Sequence, residues 1–198
     1  MEAWNAALFL LLNAGDPPNH SARLLALLFA DYAIFLVPLM LVAGWLWGDA
    51  SRRRLMLEAT ACGLFALLIN QAIGLVWQHP RPFMIGLGHT LVTHVADSSF
   101  PSDHLTLLLA VAVSFLLGAR WRSCGSILLT LALPVAWARI YLGVHFPMDM
   151  VGAAVVAAAS ALSWFGLGSG LIASAFTRAE SIYRCLFAPL IRRGWVTR

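Results

Sequence analysis

Polar residues in this chain gather in short runs between long apolar stretches. A membrane-crossing helix needs about 20 mostly apolar residues, and that measure predicts five spans. They are residues 22–47, interrupted by Asp31 and Pro38; 55–77; about 104–119; about 126–142, with Pro134 inside; and about 147–175. Prolines inside spans are tolerated because neighbouring helices re-satisfy the freed backbone groups. Residues 3–13 are too short to cross and read as an interfacial helix, with a shortened sixth span as the alternative. Residues 177–198 place five arginines between apolar positions such as Ile182, Leu186 and Phe187, which predicts a basic amphipathic helix lying on the membrane. The expected fold is all-α: a polytopic membrane helical bundle forming a single domain over residues 1–198.

Composition agrees and narrows the classes. Of 198 residues, 61% are hydrophobic and 11% charged, against about 45–50% and about 25% in ordinary globular proteins. Disorder, collagen and a disulfide miniprotein are excluded, and too little polar side chain remains to cover a soluble enzyme. Cys62, Cys124 and Cys185 have no paired spacing, so neither a disulfide framework nor a thiolate metal site is indicated. The N-terminus lacks the positive region of a signal peptide, so no cleavage is expected. Trp45, Trp47, Trp77 and Trp121 fall at span ends, where aromatic belts form.

Charge adds a direction. All 13 basic residues are arginine, with no lysine, against 9 acids for a net +4. They are not gathered into a patch with interleaved aromatics, so no nucleic-acid partner is expected. With five spans, Arg52, Arg53, Arg54, Arg120, Arg122 and the five C-terminal arginines share one side. The positive-inside rule makes that side cytoplasmic. Only Arg23, Arg81 and Arg139 fall on the other. Snorkelling to headgroups accounts for Arg23.

Three segments meet on that outer side. They are His79-Pro80-Arg81-Pro82, Pro101-Ser102-Asp103-His104, and Arg139 followed by Gly143-Val144-His145-Phe146-Pro147-Met148-Asp149. Ionisable residues at membrane depth are costly and mark functional sites. Arginines, histidines, a serine and a carboxylate at adjoining helix ends suit phosphate chemistry. His145 is the candidate nucleophile. Asp149 lies one helical turn on, where it would fix the imidazole tautomer. His104 is the candidate general acid and base. Arg81 and Arg139 would clamp phosphoryl oxygens. Ser102 and the start of the third span at Asp103 and His104 form an anion-binding helix N-terminus, with Ser102 equally suited to an N-cap.

Arg81-Pro82, Pro-Ser-Asp-His and Arg-x5-His-x3-Asp resemble the three-part signature of the type-two phosphatidic acid phosphatase superfamily, with the likeness running over residues 74–149. The resemblance implies a metal-independent membrane phosphatase, without cofactors, that passes through a phosphohistidine. The runs Asp97-Ser98-Ser99-Phe100, Gly143-Val144-His145-Phe146-Pro147-Met148-Asp149-Met150 and Ile191-Arg192-Arg193-Gly194-Trp195-Val196 are similar to the bacitracin-resistance type of undecaprenyl-diphosphate phosphatase. That likeness implies an isoprenoid diphosphate substrate, recycled for cell-wall synthesis at the bacterial inner membrane by a periplasm-facing site. Alternatives are a phosphatase of phosphatidylglycerol phosphate, phosphatidic acid or lipid A, and a non-catalytic protein binding anionic lipids.

The chain departs from the family pattern at Gly74, where a lysine is usual, at Ala138, where a serine is usual, and at Asp103, where a glycine is usual. His79, close to Arg81, is expected to take part of the lysine's role. Asp31 inside the first span faces the bundle or a site arginine. His89, His94 and Asp97 fit no standard zinc spacing; His94 and Asp97 are placed to flank a diphosphate.

Overall fold

The computed structural model describes residues 2–118, 121–167 and 169–198. All regular structure among them is helical. The helices are α1 (Glu2–Leu12), α2 (His20–Trp47), α3 (Ala50–Val76), α4 (Asp103–Leu117), α5 (Arg122–Tyr141), α6 (Pro147–Leu167), α7 (Ser169–Leu186) and α8 (Ala188–Arg192). Four are long and apolar enough to cross a membrane: α2, α3, α5 and the Pro147–Gly166 stretch of α6. The chain is a polytopic helical membrane protein.

The expected third span is α4, and at 15 residues it is about 22 Å long, short of the roughly 30 Å of a hydrocarbon core. It sits at the centre, packed on α3, α5 and α6, with Leu108, Ala110, Val111, Ala112 and Phe115 fully buried. A helix enclosed by others need not match the bilayer thickness with its own surface. Its ends still reach both ends of the bundle. Thr106 meets Asn70 near the C-terminal end of α3, and Gly118 lies against Leu55 near its start. Ala119 and Arg120, predicted to close this span, lie outside the described residues. Helix α1, with 11 residues, is not among the four helices long enough to cross on their own.

Sequence chemistry explains the local departures. Helix α2 passes through a π turn at Leu28–Tyr32 and a 3-10 turn at Ala33–Phe35 before Pro38. Proline has no N–H and crowds the carbonyl four residues back, here Ile34, so the regular ladder cannot continue there. Asp49 caps α3 by accepting from the Arg52 N–H at 2.8 Å. The expected fifth stretch, 147–175, covers α6 and the start of α7, and Gly168 between them lies outside the described residues.

The region expected to lie as an amphipathic surface helix from 177 belongs to α7, which packs on α3 and α6. Its continuation folds back onto the turn between α2 and α3. The Thr197 N–H donates to the Leu46 carbonyl at 3.0 Å, and the Trp47 indole donates to the Trp195 carbonyl at 3.0 Å. This closure encloses Arg53, which has no exposed surface. Its guanidinium donates to the carbonyls of Trp45 (3.0 Å) and Thr197 (2.6 Å), pairs with Glu180 at 3.5 Å, and lies over the Tyr183 ring. Arg53 therefore serves the protein interior at the arginine-rich end to which the charge count assigned it.

Candidate functional site

At the other end of α3 the three motif segments come together. Pro147 opens α6, and α1 braces that start: the Met148 N–H donates to Asn5 Oδ1 at 3.1 Å, and Phe9 packs on Phe146. The turn that carries His145 depends on Gly143, whose φ of +81° is in the left-handed region. A Cβ there would stand 2.2 Å from the His89 carbonyl oxygen. Glycine is thus required both by the backbone and by the close approach of the 86–97 loop. Asn13 fastens the same loop, exchanging side-chain hydrogen bonds with the His89 N–H (2.7 Å) and carbonyl (2.9 Å).

His145 is 2% exposed. Its Nδ1 lies 3.1 Å from Asp149 Oδ2. A carboxylate can only accept, so Nδ1 carries the proton and Nε2 presents its lone pair. Nε2 is 3.1 Å from Arg81 Nη1 and 3.5 Å from Arg139 Nη2. Burial, reinforced by the Arg139 and Arg81 charges, pushes the imidazole well below its usual range. The ring is therefore neutral at physiological pH, its nucleophilic nitrogen aimed between two guanidiniums that would hold a phosphoryl group. Such an array can form and stabilise a covalent phosphoryl intermediate.

The two arginines are anchored differently. Arg81 donates Nε to Asp97 (2.8 Å), Nη1 to the Val144 carbonyl (2.9 Å) and Nη2 to the Ser98 carbonyl (3.3 Å). Arg139, at the end of α5, reaches His94 Nε2 at 3.0 Å, while its buried Nε has no hydrogen-bond partner among the described residues. Asp31 remains exposed on α2, within electrostatic reach of Arg139.

The Pro-Ser-Asp-His segment divides. Ser102 is at the N-cap position of α4, yet its side chain makes no capping bond, and its buried Oγ has no hydrogen-bond partner among the described residues. His104 is half-buried in the first turn, within electrostatic reach of Arg139, His94 and Arg81. The Asp103 carboxylate turns to α3, accepting from Asn70 (2.8 Å) and Gln71 (3.1 Å). It borders a cavity of about 370 Å³ that Gly74 also lines. His79 is edge-on to Trp77 and Phe146, on the Asp149 side of the site, and its carbonyl accepts from the Ser99 N–H at 2.8 Å. Nε2 of His145 lies within hydrogen-bond distance of Arg81 and Arg139. His89, His94 and Asp97 make separate contacts: the His89 backbone with Asn13, the His94 ring with Arg139 and the Asp97 carboxylate with Arg81.

Ser99 escaped the sequence reading. It is fully buried, and its Oγ donates to Asp149 Oδ2, which also accepts from the Phe146 N–H at 2.7 Å. Nothing in a Ser-Ser pair indicates which hydroxyl turns inward; only the neighbouring Asp97 and the motif after it hinted at the segment. Asp97, Ser98 and Ser99 each hold a different part of the site. A hydrogen bond to a charged group contributes about 1.5–3 kcal/mol. Ser99→Ala is therefore expected to lower kcat by roughly tenfold or more with KM little changed, since the bond orients Asp149 and not the ligand. Steady-state phosphate release, with a melting curve to verify folding, checks this.

Comparison with known proteins places these features in a lineage. The PAP2 superfamily model matches residues 55–171. The chain is 38% identical to "Putative undecaprenyl-diphosphatase YbjG" of Escherichia coli K12 over 99% of this chain and 98% of that one. It is 42% identical to undecaprenyl-diphosphatase BcrC of Bacillus subtilis over 64% and 65% of the two chains. The crystal structure of Aquifex aeolicus LpxE shares the fold, with a TM-score of 0.63 at 20% identity, covering 81% of this chain and 93% of that one. So does a PAP2-type phosphatidylglycerolphosphate phosphatase from Bacillus subtilis, with a TM-score of 0.56 at 20% identity, covering 84% and 83%.

Proposed function

The chain belongs to the PAP2 superfamily, and on that footing we propose that it hydrolyses undecaprenyl diphosphate to undecaprenyl phosphate and inorganic phosphate. The observation that carries the reaction type is His145, its Nε2 between two buried guanidiniums and its Nδ1 on Asp149. The substrate rests on the names of the two relatives at 38% and 42% identity.

His145 Nε2 attacks the terminal phosphorus, and the bond to the bridging oxygen breaks. His104 gives that oxygen a proton, so undecaprenyl phosphate departs. Asp149 steadies the imidazolium through Nδ1–H. Arg81 and Arg139 take the charge that builds on the equatorial oxygens, where positioning and electrostatics dominate. Ser102 Oγ and the N-terminus of α4 supply further donors. His104, now deprotonated, takes a proton from water, whose oxygen attacks the phosphohistidine and releases inorganic phosphate.

The arginine-rich end, with Arg52, Arg54 and the C-terminal arginines, faces the cytoplasm by the positive-inside rule. The site then opens to the periplasm, where the spent carrier lipid is met. The setting is the bacterial inner membrane.

The test is phosphate release by purified protein from undecaprenyl diphosphate, phosphatidylglycerol phosphate and phosphatidic acid, with and without a chelator. The expected result is the highest kcat/KM on the isoprenoid diphosphate, unchanged by chelation. A preference for either other lipid overturns the substrate, and no release from any lipid overturns the enzyme.

A further inference from the structure

We propose that His94 is a third arm of the phosphate site: it occupies Arg139 while the site is empty, then turns donor to the bound phosphoryl group. This rests on the phosphatase reading above. The chain has no lysine, so cationic donors to a phosphate come only from arginine and protonated histidine. Position 74, the one beside the site where the family pattern carries an amine, is glycine facing a cavity. His79 is turned to the Asp149 side. His94 is on the opposite side, with its ring centroid 6.4 Å from that of His145.

The hydrogen bonds of His94 define its starting state. Nδ1 is 3.1 Å from the Val95 carbonyl, which can only accept, so Nδ1 carries the proton. Nε2 then accepts from Arg139 Nη2 at 3.0 Å. The ring is neutral and occupies a donor that a phosphoryl oxygen would use. The groups around it are Arg139 on α5, Arg81 and Asp97 on the loops before α4, His145 before α6 and His104 on α4. Burial lowers the His94 pKa, the two arginines lower it further, and Asp97 opposes them.

An arriving phosphate dianion takes over the Arg139 N–H and leaves Nε2 facing an anion in place of a cation. The sign of the shift then reverses. The arginine charges are offset, the imidazolium is favoured, and Nε2 takes a proton from solvent and donates it to a phosphoryl oxygen. Phosphate binding is thereby coupled to proton uptake at pH values between the empty-site and bound-site pKa of His94.

Isothermal titration of inorganic phosphate into the purified protein, near pH 6.5 in two buffers of different ionisation enthalpy, measures affinity and protons together. His94→Gln and His94→Ala are compared with the natural protein, each confirmed folded by its melting temperature. The expected result is greater proton uptake per phosphate in the natural protein than in either variant. Affinity is expected to fall about tenfold in His94→Ala, the scale of one hydrogen bond to a charged group. Equal uptake and equal affinity in all three overturn the proposal, as does a natural protein that binds no phosphate. Histidine-dependent uptake in a protein that releases phosphate from no lipid would leave this inference standing and sink the phosphatase reading.

Discussion

Replacing His145 with alanine is expected to reduce phosphate release by about a thousandfold or more, the scale on which enzymes lose activity when a nucleophile that acts jointly with its partners is removed. Its Nε2 is where phosphorus must arrive, 3.1 Å from Arg81 and 3.5 Å from Arg139. Removing the ring leaves water to attack directly, with no base held at that point. The arginines stay, so lipid still binds and KM changes less than kcat. A rapid-quench experiment with terminally labelled substrate separates causes. The natural protein should yield an acid-labile, alkali-stable phosphoprotein, and His145→Ala should yield none. Substantial turnover by the variant would show that the nucleophile lies elsewhere.

The second large effect is on stability. Deleting residues 194–198 removes the Thr197 contacts to Arg53 and the backbone closure onto Leu46. Arg53 then keeps Trp45 and Glu180 but loses its best-placed acceptor while still deeply enclosed. Stranding a buried charge costs about 3–5 kcal/mol; with two partners retained, about 3 kcal/mol is expected. For a chain of this size each kcal/mol lowers the melting temperature by about 2–4 °C, giving a drop of about 6–12 °C. Adding Arg53→Met to the deletion should recover part of the loss, because the stranded charge is gone. Turnover per folded molecule should hold, since the 27 residues of α3 set this closure about 40 Å from the site. An unchanged melting temperature would show that the tail contributes nothing.

Apolar run length predicted α2, α3, α5 and the start of α6, because a lipid-facing helix must match its surroundings over its whole length. It also located α4, found at Asp103–Leu117 against a predicted 104–119, but did not show that protein neighbours replace lipid around it, so that depth no longer limits its length. At the site, His145, Asp149, Arg81 and Arg139 were legible because their residue types are expensive at membrane depth and need a reason. The inward turn of Ser99, the pairing of His94 with Arg139 and the enclosure of Arg53 depend on loops closing across the fold. Asp103 shows the same limit: its position at the start of α4 was legible, the turn of its carboxylate toward Asn70 was not.

The Asp97-Ser98-Ser99 segment restricts how the chain can change in length. Its three consecutive residues grip Arg81 by a carboxylate, Arg81 again by a carbonyl, and Asp149 by a hydroxyl. One residue inserted or removed among them would shift every grip at once, so no single compensating substitution could restore the set. Before it, the loop is pinned mainly at His89, Leu91 and His94. The short intervals around those pins are where descendants of this sequence can lengthen or shorten the loop while keeping the same chemistry.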